Sequence, residues 1–598
     1  GWTGASKPRK QPRAIQETNR HMPMNGAAAP GGSLGTVPAT AWNSLPAMML
    51  DLAIRWAGRP MLRHWRDGGW QSVSWAEYAR AVAAVAAGLR ARGVSPGDRV
   101  LLVSESRPEF PIADTAIMAI GAVTVPTYTT NTVADHAHIL RDSGARAAVV
   151  STARLAARVR EAAGDAHGNT GLDLLVTIEE VADAVPWLAL LATAHEPAEL
   201  LAEVEAIPAG RLACLIYTSG TGGAPKGVML PHRALLANRA GVLPVIQRLG
   251  LPENPCYLSF LPLSHAYEHT VGCFLLPSYG IEVVYSRGAD RIAAEMQSLR
   301  PSLITTVPRL FEVLRGKILQ GLETQKPWQR RLFDRALALG LRRMDGPPLG
   351  LFARIEDAVL DRLVRDKVRA RFGGELMAMV SGGARLDPDL SGFFLALGLP
   401  VLQGYGQTEA GPVISINLPW DNHRRSVGPP VVGVEARLAA DGELLVRGDL
   451  VMDGYWGDPD NTARAIQDGW LHTGDVAELD QGRLVIRDRK KDFIKTLGGD
   501  MVSPARVEGL LTAEPEILHA VIAGEGRPGI VALIVPAEGA DPRAAVERVN
   551  GRLSGIERVR KWRAVEPFSV ENGLLTSTMK VRRKAVIEQH AEVLRALY

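Results

Sequence analysis

The chain has 598 residues, 46% hydrophobic and 22% charged, with a formal net charge of +4. That length exceeds one compact core, so two or more domains are expected, in an ordinary soluble globular protein. The small charge excess makes no case for nucleic acid, no apolar run reaches the ~18 residues of a membrane span, and three cysteines without metal-ligand spacing read as buried thiols of a reducing cytoplasm.

Residues 1–39 are rich in Gly, Ala, Pro and basic residues and lack an apolar period, which predicts a disordered tail. From Trp42 onward strand alternates with helix. Residues 75–92 form an Ala-rich amphipathic helix, 98–103 a buried strand, 111–120 a helix, 122–125 a strand, 135–142 a helix and 147–150 a strand. Residues 281–285 and 303–306 are further strands. This alternation argues for largely parallel sheets covered by helices. Residues 325–371 are helical, studded with arginine and broken at 346–348, with Leu332, Leu337, Leu341 and Leu360 near helical spacing. Two readings of that segment stand: a solvated two-helix excursion, or a basic surface resting on anionic membrane. The last ~110 residues read as a separate small α+β domain, with short strands near 519–522 and 531–535 and a terminal helix.

The densest local signal is YTSGTGGAPKG, residues 217–227. It follows an apolar strand at 212–216 and precedes a helical pattern opened by Pro231 and His232, so it reads as a strand-to-helix loop. Glycines allow close backbone approach, the hydroxyls of Thr218, Ser219 and Thr221 donate, and Lys226 adds a point charge, which together suit phosphate. It is not a Walker A loop, because Lys226 lies between Pro225 and Gly227.

Further along, Gly382, Gly383 and Ala384 follow one strand, and QGYGQTE, residues 403–409, follows the next. Ligands of open α/β sheets bind at such strand ends. Tyr405, between Gly404 and Gly406, can stack a flat base, Thr408 can donate to phosphate, and Glu409 can hold Mg²⁺ through a hard oxygen. Asp475, at a strand-like end in WLHTGD, suits two ribose hydroxyls, and Arg489 could complete that grip.

The glycine-rich stretch resembles the phosphate loop of the adenylate-forming superfamily: acyl-CoA synthetases, peptide-synthetase adenylation domains and luciferases. Gly220 and Gly222 sit within it, and Gly222 replaces the family's second Thr, which implies weakened ATP binding. The later elements match in the expected order, from residue 42 to the C-terminus. LPLSHAYEH, residues 261–269, and TVPRLFE, residues 306–312, are similar to the long-chain branch, with His269 in place of Arg. By that resemblance His265 lies near the reacting carboxylate. Lys580, in GLLTSTMKVRR, resembles the catalytic lysine, and Lys491 the hinge. Lys495, Gly498 and Gly499 would face the site only after the small domain turns.

The resemblance implies an α/β fold: a large N-terminal domain (40–490) of several subdomains, with mixed and parallel sheets, and a small mobile α+β domain (491–598). It implies ATP-dependent conversion of a medium- or long-chain fatty acid to acyl-CoA through an acyl adenylate, with Mg²⁺ on Glu409 and Thr221. The acyl pocket is expected from the helix after His232 and the 260–274 region. Delivery to a carrier protein, or a catalytically silent relative, are the alternatives. Oligomeric state stays open, with a dimer among the options.

Overall fold

The computed structural model describes residues 42–164, 171–218, 224–569, 572–576 and 580–598. The expected tail, 1–39, lies outside them, as do Ser219, Gly220, Thr221 and Gly222.

Two eight-stranded sheets organise the large N-terminal part. The first runs Val413–Ile416, Val401–Gly406, Ala378–Ser381, Leu303–Thr306, Cys256–Ser259, Glu282–Tyr285, Pro60–Arg66 and Gly69–Ser74. Its inner strands are parallel and only the two edge pairings are antiparallel. The second runs Gly454–Tyr455, Lys226–Pro231, Leu212–Thr218, Val123–Pro126, Arg99–Val103, Ala147–Val150, Leu174–Thr177 and Val185–Pro186. Its strands VTVP and AAVV are buried throughout, as is RVLLV beyond Arg99. Side chains that meet no water on either face require helices on both.

Helix Trp75–Arg90 is one such cover. Glu77 accepts from the Ser74 backbone N–H at 2.7 Å and the Glu77 N–H donates back to Ser74 Oγ at 3.3 Å, a capping box that fixes its start. Tyr78, Val82, Val85 and Leu89 form its buried face. Each such burial contributes roughly 1.5–3 kcal/mol.

The glycine-rich stretch departs from expectation. It joins two strands rather than a strand and a helix: Lys226–Pro231 pairs antiparallel with Leu212–Thr218, Lys226 opposite Thr218, and helix His232–Arg248 begins only afterwards. Val228, Met229 and Leu230 are apolar and free of turn residues, so the segment pairs instead of looping.

A third, five-stranded sheet is antiparallel and centred on Trp470–Asp480, whose hairpin partner is Arg483–Arg489. Asp475 therefore lies inside a long strand, not at its end. The small C-terminal part is α+β: a hairpin, Ile494–Lys495 with Met501–Val502, and a three-stranded sheet backed by helices such as Pro504–Thr512 and Arg543–Arg552. Ile522, Ile534, Val507 and Val549 form its own core.

The arginine-rich segment is helix Pro327–Asp345, helix Leu351–Leu360, a π-helical turn Asp361–Arg365 and helix Asp366–Arg371. Fully buried Arg365 ties them down, donating to Ala336 O at 2.8 Å, Ala396 O at 2.7 Å and Asp357 Oδ1 at 2.7 Å.

Candidate active site

A cavity of about 2150 Å³ opens where the three sheets and the small domain meet. Thr218, from the second sheet, lines it with Tyr405 of the first, Gly382 and Gly383 just beyond the first sheet's strand Ala378–Ser381, Arg489 of the third and Lys580 of the small domain.

Tyr405, Asp475 and Arg489 lie together. Tyr405 Oη donates to Asp475 Oδ2 at 2.6 Å. Asp475 stands opposite Arg489 in the hairpin, whose Nε lies 3.6 Å from Asp475 Oδ1. Burial raises the Asp475 pKa, against the hydrogen bond from Tyr405 and the charge of Arg489. Gly406 can be nothing larger, because a Cβ there would lie 1.9 Å from Pro412 O. Gly382 is packed by the Tyr267 ring, 2.9 Å from where a Cβ would stand, and Gly383 takes a φ of +75°. Gly404 and Ala384 line the same cavity.

Glu409 and Thr408 sit in a short 3₁₀ turn after the Tyr405 strand. Tyr455 donates to Glu409 Oε1 at 2.9 Å, while Oε2 has no hydrogen bond among the described residues. No group of three or more His, Cys, Asp or Glu among the described residues could hold a metal alone. A single half-buried carboxylate fits Mg²⁺, which takes most of its ligands from phosphate and water. Lys226 Nζ lies 3.9 Å from Asp458 and 5.1 Å from the Tyr455 ring centroid, at the edge of the site and not among the residues lining the cavity.

Lys580 reaches the cavity from the small domain. A Cβ on Gly383 would lie 3.9 Å from its Nζ. Solvent in the cavity still touches the side chain, but protein crowds the ammonium, and that loss of water, then the charge of Arg489, lowers its pKa from the ordinary lysine value. Its backbone N–H donates to Thr576 Oγ1 at 3.0 Å. His265 is half-buried, and its Nδ1 accepts from the Tyr267 N–H at 3.2 Å. Burial and the nearby Lys580 charge push it down to about 4, so its ring is neutral near pH 7.

Lys491 is exposed in the turn after the third sheet and borders the cavity. Lys495, Gly498 and Gly499 are not brought to the site: they lie exposed on the Ile494–Val502 hairpin, off the cavity lining.

Beyond the polar end the walls are aliphatic. Val242, Val245 and Ile246 of helix His232–Arg248 face the space with Phe260, Val271 and Leu275, which are the two regions expected to line an acyl pocket. Behind this wall Glu268 is fully buried and accepts from Tyr257 Oη and Ser259 Oγ at 2.5 Å and Thr305 Oγ1 at 2.8 Å. Burial raises its pKa against those three donors. Sequence reasoning quoted the string holding Glu268 without singling it out, and missed Tyr455, which no local pattern marks.

A sequence family described as AMP-binding enzyme matches residues 52–456, and one described as AMP-binding enzyme C-terminal domain matches residues 491–598. The chain is 35% identical over 564 residues to long-chain-fatty-acid–CoA ligase FadD15 of Mycobacterium tuberculosis, covering 89% of this chain and 93% of that protein. It is 30% identical over 604 residues to peroxisomal long chain acyl-CoA synthetase 7 of Arabidopsis thaliana, covering 89% and 83%. Among solved structures, the anthranilate CoA ligase AuaEII with anthranoyl-AMP superposes with a TM-score of 0.70 at 21% identity, over 94% of this chain and all of that one (100%). The o-succinylbenzoate CoA synthetase MenE of Bacillus subtilis, with its acyl-adenylate intermediate, gives 0.69 at 21% identity, over 90% and 98%. At that identity the last two bear on the fold alone.

Proposed function

The chain belongs to the AMP-binding enzymes, and from that premise we propose that it joins a medium- or long-chain fatty acid to coenzyme A at the expense of ATP. In the first half-reaction a carboxylate oxygen bonds to the α-phosphorus, the bond to the bridging oxygen breaks, and pyrophosphate leaves with the electron pair. In the second, the thiol sulfur of coenzyme A attacks the acyl carbon, the bond to AMP breaks, and the thiol proton passes to solvent.

The observation that carries this reading is one cavity with a nucleotide-type polar end and an aliphatic extension lined by Val242, Ile246 and Leu275. Tyr405 offers a face for adenine, and Asp475 with Arg489 a grip for ribose hydroxyls. The loop at 217–227 holds the phosphates. Mg²⁺ on Glu409, with Thr221 and nucleotide oxygens, would offset the triphosphate charge. Lys580 stabilises negative charge between carboxylate and α-phosphate, and neutral His265 shapes the pocket around the carboxylate without adding charge. There is little covalent chemistry for the protein to do; positioning and electrostatics carry the rate.

The domain limits belong to this proposal: a large catalytic domain to residue 490 and a small one from 491, swinging about Lys491. The present orientation, with Lys580 in the cavity, serves adenylation. The turned one would bring Lys495, Gly498 and Gly499 to the thiol. Three unpaired buried cysteines, Cys214, Cys256 and Cys273, suit a reducing cytoplasm. The test is coenzyme A-dependent AMP formation across acids from acetate to oleate. Higher kcat/KM for acetate, benzoate or an amino acid than for octanoate or palmitate would overturn the substrate class, and pyrophosphate release without thioester would point to a carrier-protein acceptor.

A further inference from the structure

Helix Leu351–Leu360 has two apolar faces. Its inner one, with Leu360 and Ala353, packs on the protein beside Leu339 and Leu349. Its outer one is bare: Leu351 is 72% exposed, Phe352 87%, Ile355 56% and Val359 50%, and Leu363 in the following turn 48%. These positions fall at i, i+1, i+4, i+8 and i+12, which places them along a single stripe. No other stretch of the described chain turns so many large apolar side chains outward in succession.

The charges around the stripe are one-sided. The acids of this stretch are engaged within the protein: Glu356 with Arg335, Asp357 with Arg365 and Arg343, Asp361 and Asp366 with Arg369. Arg354 and Arg362, both exposed and both on or beside the stripe, have no carboxylate partner among the described residues; nor does Lys367 one turn on. The helix cannot roll to hide the stripe, because buried Arg365 bonds its stretch to Ala336 and Ala396.

We propose that this stripe is a docking surface for an anionic phospholipid bilayer, with Phe352, Ile355 and Val359 in the acyl boundary and Arg354, Arg362 and Lys367 on the lipid phosphates. A rigid helix with an apolar outer face edged by unpaired cations has the chemistry of an interfacial helix, lying in the membrane plane. No helix among the described residues is long and apolar enough to cross a membrane, and the contact needs none. The inference is separate from the fatty-acid reading: it would place such an enzyme where its substrate dissolves, but it stands or falls on binding alone.

The experiment is co-sedimentation of the full chain with vesicles of phosphatidylcholine, or of phosphatidylcholine with about one third phosphatidylglycerol, without ATP or acid. Binding is expected to the second kind only and to fall with added salt. Phe352→Asp with Ile355→Asp should weaken it at least about tenfold, and Arg354→Gln with Arg362→Gln should remove the preference for phosphatidylglycerol. Both variants should keep the parent's melting temperature and its turnover of octanoate, which is presented from water. Absence of vesicle binding, or equal binding by the Asp variant, overturns the proposal. So does a dimer in sedimentation that the Asp variant dissociates, since a second copy would then cover the stripe. Loss of fatty-acid turnover with vesicle binding intact would count against the catalytic reading and leave this one in place.

Discussion

Replacing Lys580 by Ala should separate the two half-reactions. Its ammonium stands beside Gly383, in a cavity that water enters. A unit charge about 4 Å from a developing negative charge is worth ~4 kcal/mol at an effective dielectric of ~20. Cavity solvent screens part of that, so a loss of about 3 kcal/mol, or about a hundredfold in rate, is expected for adenylation. Thioester formation from supplied acyl adenylate should change less than about threefold, because the proposed second orientation takes Lys580 out of the site. The assay pairs ATP–pyrophosphate exchange with coenzyme A consumption by pre-formed adenylate. The pH dependence adds a second readout with a definite sign. The charged form is the active one and its pKa is lowered, so kcat/KM for adenylation falls as pH rises, with a limb below the ordinary lysine value. Lys580→Gln should lack that limb. Equal damage to both half-reactions, or an unchanged limb in Lys580→Gln, would refute the assignment.

Lys491→Pro should leave adenylation largely intact and abolish thioester formation, since proline fixes φ at the proposed pivot; near-normal rates in both half-reactions of a folded variant would move the hinge elsewhere in 488–492. Gly406→Ala should lower the melting temperature and raise KM for ATP, because its Cβ would meet Pro412 O at 1.9 Å; a change under about 1 kcal/mol in denaturant unfolding would count against the packing argument. Tyr405→Phe removes the donor to a buried carboxylate, so ATP affinity should drop by about 1.5–3 kcal/mol while palmitate KM holds; isothermal titration with ATP would reveal an unaltered affinity if the bond is idle.

Which parts could be read from the chain alone depended on how local the signal was. Asp475 and Arg489 are joined by a hairpin, so their separation of some fourteen residues already implied a meeting. The parallel strands showed as short apolar runs. Where the reading slipped, a neighbour in space decided: Lys226–Pro231 is a strand because Leu212–Thr218 lies beside it, and the glycines nearby masked that pairing. The Glu409–Tyr455 bond spans 46 residues and has no sequence mark. Leucine spacing does not mark the outward stripe on Leu351–Leu360, because the stripe mixes Phe352, Ile355 and Val359 with leucine and this helix is apolar on two faces.

The site sits on a seam, and that has consequences for how the enzyme is made. Thr218 belongs to one sheet, Tyr405 to another, Asp475 and Arg489 to a third, and Lys580 to a domain with its own core. No one of these pieces supplies the whole lining of the cavity. A newly synthesised chain therefore completes the adenylation site only when all four pieces have docked. ATP then acts as a keystone, since a ligand that grips several blocks at once raises the cost of separating any of them. Adenylation activity in such a protein reports completed assembly.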